Sequence, residues 1–190
     1  MKDNKLIELP SAEYLHQCFH YKNETGELVW RSRPSNHFSS ESIAKSVNSR
    51  LAGKIAGSTL VAPTNVYITV RVNRILLFAH RIIFKMFYGN DPKIIDHIDG
   101  DGTNNRLDNL RSCTQQENTK NTSLSTRNTS GCVGVTWSHQ KKRWWAHIVV
   151  NKKQIYLGAF DDFEQARKAR KDAEIKYGFY FNHGKNKHIG

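Results

Sequence analysis

Asp96 and His97 sit together in the run Ile95-Asp96-His97-Ile98-Asp99-Gly100, with Asn109 twelve residues after His97 and Asn118 nine residues after that. An imidazole titrates near neutral pH and can take a proton from water. The neighbouring carboxylate offers a hard oxygen to a divalent cation. A base beside a cation ligand, with two amides at fixed distances in a hairpin-then-helix pattern, is the equipment for hydrolysing a phosphodiester with one divalent ion.

The elements that must position these residues are short. Lys93 to Ile98 reads as a strand, Asp99 to Asn105 as a turn rich in Asp, Gly and Asn, and Leu107 to Cys113 as a returning strand. Thr114-Gln115-Gln116-Glu117 fits a capping box, so Thr114 starts a short helix that carries Asn118. Residues 93–122 are too few for a core of their own and must pack on Ile82, Ile83, Met86 and Phe87. Those residues belong to Leu76 to Tyr88, a strand end running into an apolar helix that Gly89-Asn90-Asp91-Pro92 stops. Upstream, the pattern predicts a helix from Ser11 to His20, two strands around a Gly turn over residues 21–30, a mobile Ser-rich stretch from Ser35 to Ser49, and a strand carrying Val66, Ile68, Val70 and Val72.

After a Ser/Thr/Asn-rich connector, Thr119 to Ser130, the periodicity changes. Val133 to Ser138, Arg143 to Val150 and Gln154 to Phe160 read as three antiparallel strands, and a helix follows from Asp162 to about Tyr177. Phe163, Ala166, Ala169, Ala173 and Tyr177 share one helix face, while Arg167, Lys168, Arg170 and Lys171 read as its exposed side. The expected class is α+β: a catalytic core on a small N-terminal α+β region (residues 1–122), a linker (119–131), and a three-stranded antiparallel sheet packed on one helix (132–182).

The 190-residue chain has 29 Lys and Arg against 17 Asp and Glu, a net charge of +12, and a pI near 9.7. Residues 1–127 carry 17 basic and 12 acidic groups, and residues 128–190 carry 12 and 5, so both halves can meet one polyanion. No apolar run reaches the length that crosses a bilayer, and the first twenty residues lack a secretory pattern. The expectation is a cytoplasmic protein that acts on a polyanion. It would be a monomer or weak dimer, with no protein partner implied. Cys18, Cys113 and Cys132 are too far apart to suggest a zinc knuckle or a disulfide framework, and read as small buried residues.

Five pieces in one order, Ala79-His80-Arg81, Asp96-His97-Ile98-Asp99-Gly100-Asp101, Asn104-Asn105, Asn109-Leu110-Arg111 and Glu117-Asn118, resemble the HNH nuclease family over roughly residues 78–121. The spacing is that of the Asn-ending variant in phage and intron homing endonucleases, with a ββα-metal fold. The resemblance implies Asp96 and Asn118 as ligands of Mg²⁺ or Mn²⁺, His97 as general base, and Asn109 in the facing strand as the residue that holds the His97 loop. Asp99, Asp101, Asn104 and Asn105 read as turn residues, His80 as a structural or phosphate-contacting residue, and Arg81 and Arg111 as candidates to hold phosphate.

Residues 132–182 resemble the APETALA2-type DNA-binding domain through Gly134-Val135, Trp144 to Ile148, Tyr156-Leu157-Gly158-Ala159-Phe160, Ala166, Ala173 and Asn182. Alternation puts Trp144, Ala146, Ile148 and Val150 on the helix side and Arg143, Trp145, His147 and Val149 on the other. The second face suits a major groove of double-stranded DNA. Arg143 would read guanine or clamp phosphate, Trp145 and Tyr156 would lie on sugars or thymine methyls, and Lys141, Lys142, Lys152 and Lys153 would grip the backbone. Gln154 stands where the plant domains often place Arg. The competing reading is a DNA-binding regulator on an inactive nuclease scaffold.

Overall fold

A computed structural model describes residues 8–62, 65–121, 124–125, 127–180 and 183–184. The chain divides into two units, Met1–Ser112 and Cys113–Gly190. The division falls ahead of the Thr119 to Ser130 connector.

In the first unit, α1 (Ala12–Cys18) starts where the Ser11 hydroxyl accepts from the Tyr14 amide at 3.2 Å. The chain then turns extended, and β1 (Phe19–Lys22) pairs antiparallel with β2 (Glu27–Trp30). The expected helix therefore ends two residues early, because Phe19 leaves it to enter the core fully buried. The Ser-rich stretch is ordered rather than irregular: a 3₁₀ turn at Ser35–His37 leads into α2 (Glu41–Leu51). Ser40 caps that helix, accepting from Ile43 N at 3.3 Å, and Asn48 exchanges two bonds with the Arg33 backbone, at 3.0 and 2.8 Å. Serine lowers helix propensity within an element but begins one well, which composition alone conceals.

Three strands follow as a meander, β3 (Ser58–Ala62), β4 (Asn65–Val72) and β5 (Ile75–Phe78), in the order β3-β4-β5. Asn73 and Arg74 join the last two with φ of 48° and 68°, the two-residue type I′ geometry that suits strand twist. Next come α3 (Ala79–Tyr88), closed by a left-handed Gly89, and the short pair β6 (Ile95–His97) and β7 (Leu110–Ser112). The register sets Asp96 opposite Arg111 and His97 opposite Leu110. The returning strand begins at Leu110, later than expected, because Leu107–Asn109 forms a 3₁₀ turn with Asn109 N donating to Arg106 O at 2.9 Å.

One core serves this unit, built from Leu15, Phe19, Leu28, Val70, Val72, Ile82, Ile83 and Leu110, with Ile95 and Leu107 packed against it. Each large side chain taken from water here contributes about 1.5–3 kcal/mol. Ile82, Ile83 and Met86 of α3 share this core with Leu110 of the short hairpin, as expected. Phe87 differs: it is 47% exposed and lies edge-on to Tyr21.

In the second unit, α4 (Gln115–Thr119) is followed by β8 (Val135–Ser138), β9 (Arg143–Val150) and β10 (Lys153–Phe160), ordered β10-β9-β8, with α5 (Phe163–Lys176) packed on the sheet. Asn151 and Lys152, at φ of 51° and 64°, make a second type I′ turn. Cys132, Val135, Ala146 and Ala166 form the core with Trp144, Leu157, Phe160 and Phe163 around them. Arg170 departs from the expected exposed face: it is 2% exposed, donates Nε to Val133 O at 2.8 Å and pairs with Glu174 at 3.5 Å. It lies one turn beyond Ala166 on the buried stripe, so the backbone of the turn before β8 captures it. Asn182 lies outside the described residues. Among the described residues no helix is long and apolar enough to cross a membrane.

Candidate active site and nucleic-acid interface

Neighbours on an extended strand point to opposite faces, so β6 sends Asp96 and His97 to opposite sides of the hairpin. Both are buried. Arg111, across the ladder, reaches Asp96: its Nε donates to Oδ2 at 3.1 Å and Nη2 makes a second bond to the same oxygen. Arg81 donates to the Asp91 carboxylate and to Pro92 O at 3.2 Å. Both arginines expected to hold phosphate are thus committed to carboxylates of their own unit. Burial favours this pairing, since an unpaired guanidinium would lose its hydration without compensation.

On the other face His97 Nε2 lies 3.1 Å from Asn105 Oδ1. The His80 ring meets the His97 ring edge to face at 5.0 Å, and Tyr67 lies at 6.2 Å. Burial pushes the His97 pKa below its ordinary value, against the opposing pull of the Asn105 bond and of Asp99, Asp96 and Asp101. The result favours a neutral imidazole, the form that accepts a proton. His80 is more extreme: burial, reinforced by the charges of His97 and Arg81, pushes it down to about 3, and its Nδ1 is buried without a hydrogen-bond partner.

The loop between β6 and the 3₁₀ turn is tied at both ends by one amide. Asn109 Oδ1 accepts from Asp99 N at 3.0 Å, while its Nδ2 donates to Asp99 Oδ1 at 2.9 Å and to Asn104 O at 2.8 Å. Its own carbonyl accepts from Ile98 N at 2.9 Å. Asn109 acts from the turn preceding β7, not from the strand. Asp99 and Asp101 shape the loop: Asp99 Oδ1 accepts from Asp101 N, and Asp101 Oδ1 from Thr103 N, both at 2.8 Å.

The structure adds residues that spacing did not single out. Asn65, on β4, donates to Gly100 O at 3.2 Å and accepts from Gly102 N at 3.3 Å. Tyr21, on β1, accepts from Leu107 N at 2.9 Å and donates to Asn105 O at 3.3 Å. Asn105, expected only to turn the chain, is 2% exposed and turned toward His97. A second consecutive Asn, in a loop already supplied with Asp, Gly and Asn, was the available signal for it.

Asn118 lies in α4, whose Thr114 and Glu117 form the full capping box. A carboxylate oxygen from Asp96 and an amide oxygen from Asn118 are the hard donors that Mg²⁺ or Mn²⁺ takes, so the residues suit such an ion in kind. Among the described residues no group of three or more His, Cys, Asp and Glu side chains could hold a metal, and the expected pair draws on only one of these types.

On the C-terminal sheet the faces divide as the alternation predicts. Ala146 and Ile148 are buried, whereas Arg143, Trp145 and Val149 are exposed and His147 is half-buried. Register sets Tyr156 beside His147 and Gln154 beside Val149, and the Trp145 and Tyr156 rings meet edge to face at 6.0 Å. Both Gln154 and Tyr156 are exposed, as are Lys141, Lys142, Lys152 and Lys153 in the two turns at one end of β9 and at the other. The Arg143 fork is held by Asp161, at 2.7 and 2.9 Å, although both side chains remain well exposed. Burial and the Arg170 charge lower the His147 pKa.

Comparison with known proteins bears on the first of these sites. The family described as HNH endonuclease matches residues 77–120, a span holding Asp96, His97, Asn109 and Asn118. Protein 3.8 of Escherichia phage T7 is 38% identical over 77 residues, which cover 40% of this chain and 64% of that protein. The chain thus spans just under two thirds of that relative's length. No solved structure matches the chain. Residues 77–120, with the buried Asp96-His97 pair on β6 and the Asn109-tied loop, are thus the part of the chain similar to the HNH endonuclease family.

Proposed function

We propose that this chain is a metal-dependent, site-directed DNA endonuclease of the homing type, in which the HNH domain cuts and the C-terminal module finds the site. The observation that carries the reading is the buried, neutral-leaning His97 imidazole at the end of β6, followed by a loop that Asn109 ties, within the matched span. His97 takes a proton from the attacking water, whose oxygen forms the new bond to phosphorus as the bond to the 3′ oxygen breaks, and the departing oxygen takes up a proton from solvent. The products are a 5′ phosphate and a 3′ hydroxyl. Asp96 and Asn118 would hold Mg²⁺ or Mn²⁺, which when bound offsets the charge that grows on the leaving oxygen. Arg111 orients the Asp96 carboxylate. Asn109 keeps the loop that follows His97 in place.

The C-terminal sheet reads double-stranded DNA as an APETALA2-like domain does, through Arg143, Trp145, His147, Gln154 and Tyr156, with the four turn lysines on the backbone. The exposure of these side chains on one face supports this assignment. One active site per chain makes the protein a nicking monomer, or a weak dimer that cuts both strands, in the cytoplasm of a bacterial host. Supercoiled plasmid bearing a bound target is the test, with Mg²⁺, Mn²⁺ or EDTA, wild type beside His97→Ala. Metal-dependent conversion to open circle that His97→Ala abolishes, with DNA affinity kept, is the expected result. Intact plasmid with wild type on a verified binding site would move the chain to the regulator class.

A further inference from the structure

A neutral imidazole carries one N–H and one lone pair, and only the nitrogen with the lone pair can take a proton. We propose that Asn105 is a positioning residue that holds neutral His97 in the Nε2–H tautomer, making Nδ1 the nitrogen that receives the proton of the attacking water. This inference rests on the nuclease reading of the site.

The argument begins with the acceptor. Asn105 Oδ1 lies 3.1 Å from His97 Nε2, and because an amide oxygen only accepts, this pairing is a hydrogen bond when Nε2 carries the proton. The pair is buried, at 2% and 5% exposure, where leaving that bond unmade biases the tautomers by roughly fivefold or more. The Asn105 backbone has little room to move. Tyr21 Oη donates to Asn105 O at 3.3 Å and accepts from Leu107 N at 2.9 Å, which pins both sides of Arg106. Gly26, in the β1–β2 turn, sits so close that a Cβ there would lie 2.6 Å from both Asn105 C and Arg106 N. The preceding carbonyl, Asn104 O, is held by Asn109 at 2.8 Å. The His80 edge at 5.0 Å limits rotation of the His97 ring about its own bond. Asn109 therefore holds the loop, and Asn105 at its end holds the ring.

The test reads the tautomer directly. Full-length protein labelled with ¹⁵N-histidine, recorded above neutral pH by long-range ¹H–¹⁵N correlation, should show His97 with Nε2 protonated, the signal being assigned by its loss in His97→Ala. Asn105→Leu, of similar volume but without an acceptor, should shift His97 toward a mixed population. Its kcat on plasmid should fall roughly 10²-fold, within the about 10²–10⁴ that a positioned base contributes, at unchanged KM. Asn105→Asp keeps an acceptor and should restore the Nε2–H form and most of the rate, which a purely structural role would not predict. If Asn105→Leu does not fold, the wild-type tautomer and Asn105→Asp still decide. A wild-type His97 protonated on Nδ1, or an unchanged tautomer in Asn105→Leu, overturns the inference even if the plasmid is cut. Absent cleavage with the Nε2–H form present would instead overturn the nuclease reading.

Discussion

His80 should make the first unit sensitive to mild acid. Its folded pKa is about 3 against an ordinary 6.5, so below pH 6.5 the unfolded chain binds a proton that the folded chain refuses. The stability tied to its neutral form is therefore complete above about pH 7, falls by about 1.4 kcal/mol per pH unit below 6.5, and is exhausted near pH 3. Between pH 7.5 and 5.0 the loss from this residue comes to about 2 kcal/mol. His97, depressed in the same direction by burial, adds to it, so the informative quantity is a difference. His80→Leu removes the titrating ring at similar volume and should lose about 2 kcal/mol less than wild type over the same interval. Urea unfolding followed through amide signals of β4 and α3 gives the comparison. With a slope of about 1–3 kcal/mol/M, the wild-type midpoint should drop by about 1 M relative to the variant. Parallel losses in the two proteins would mean that His80 titrates as it does in water, and its description as a buried neutral ring would be wrong.

Two further perturbations reach other parts of the molecule. Gly26→Ala combines a left-handed φ of +74° with a 2.6 Å approach to the Asn105–Arg106 backbone, so it should destabilise by at least about 1–3 kcal/mol and slow plasmid nicking; an unchanged melt and rate would refute the packing argument. Arg143→Ala with Trp145→Ala should weaken specific DNA binding by roughly 2–6 kcal/mol, about 1–3 per contact, in a gel shift, and unchanged discrimination between target and random duplex would contradict the groove assignment.

The residues with local partners were legible in the sequence. The capping box at Thr114 and Glu117 formed as read, because both members sit within one helical turn. The two faces of β9 followed the alternation, since one side of a strand covered by a helix leaves a period of two in the burial. What escaped involved distant partners. Tyr21 and Leu107 are 86 positions apart, and nothing in the Asp-Gly-Asn loop announces that a tyrosine clamps it. Arg170 looked like one more solvated base until Val133 O captured it, 37 positions away. Arg81 and Arg111 carried charge suited to phosphate, but Asp91 and Asp96 lie closer to hand. The Ser35 to Ser49 stretch was misread because composition cannot distinguish a serine that opens a helix from one that loosens a loop.

The clamps from Tyr21 and Asn65 bear on portability. A nuclease cassette trimmed to residues 77–120 for fusion to another DNA-binding protein would keep every residue of the spacing motif. It would lose both anchors of the loop, and with β1, β2 and β4 most of the apolar bed beneath Ile95 and Leu110. The smallest piece to graft therefore starts upstream of Tyr21, and the hairpin at the front of the chain belongs with residues 77–120 because its tyrosine holds the end of their loop.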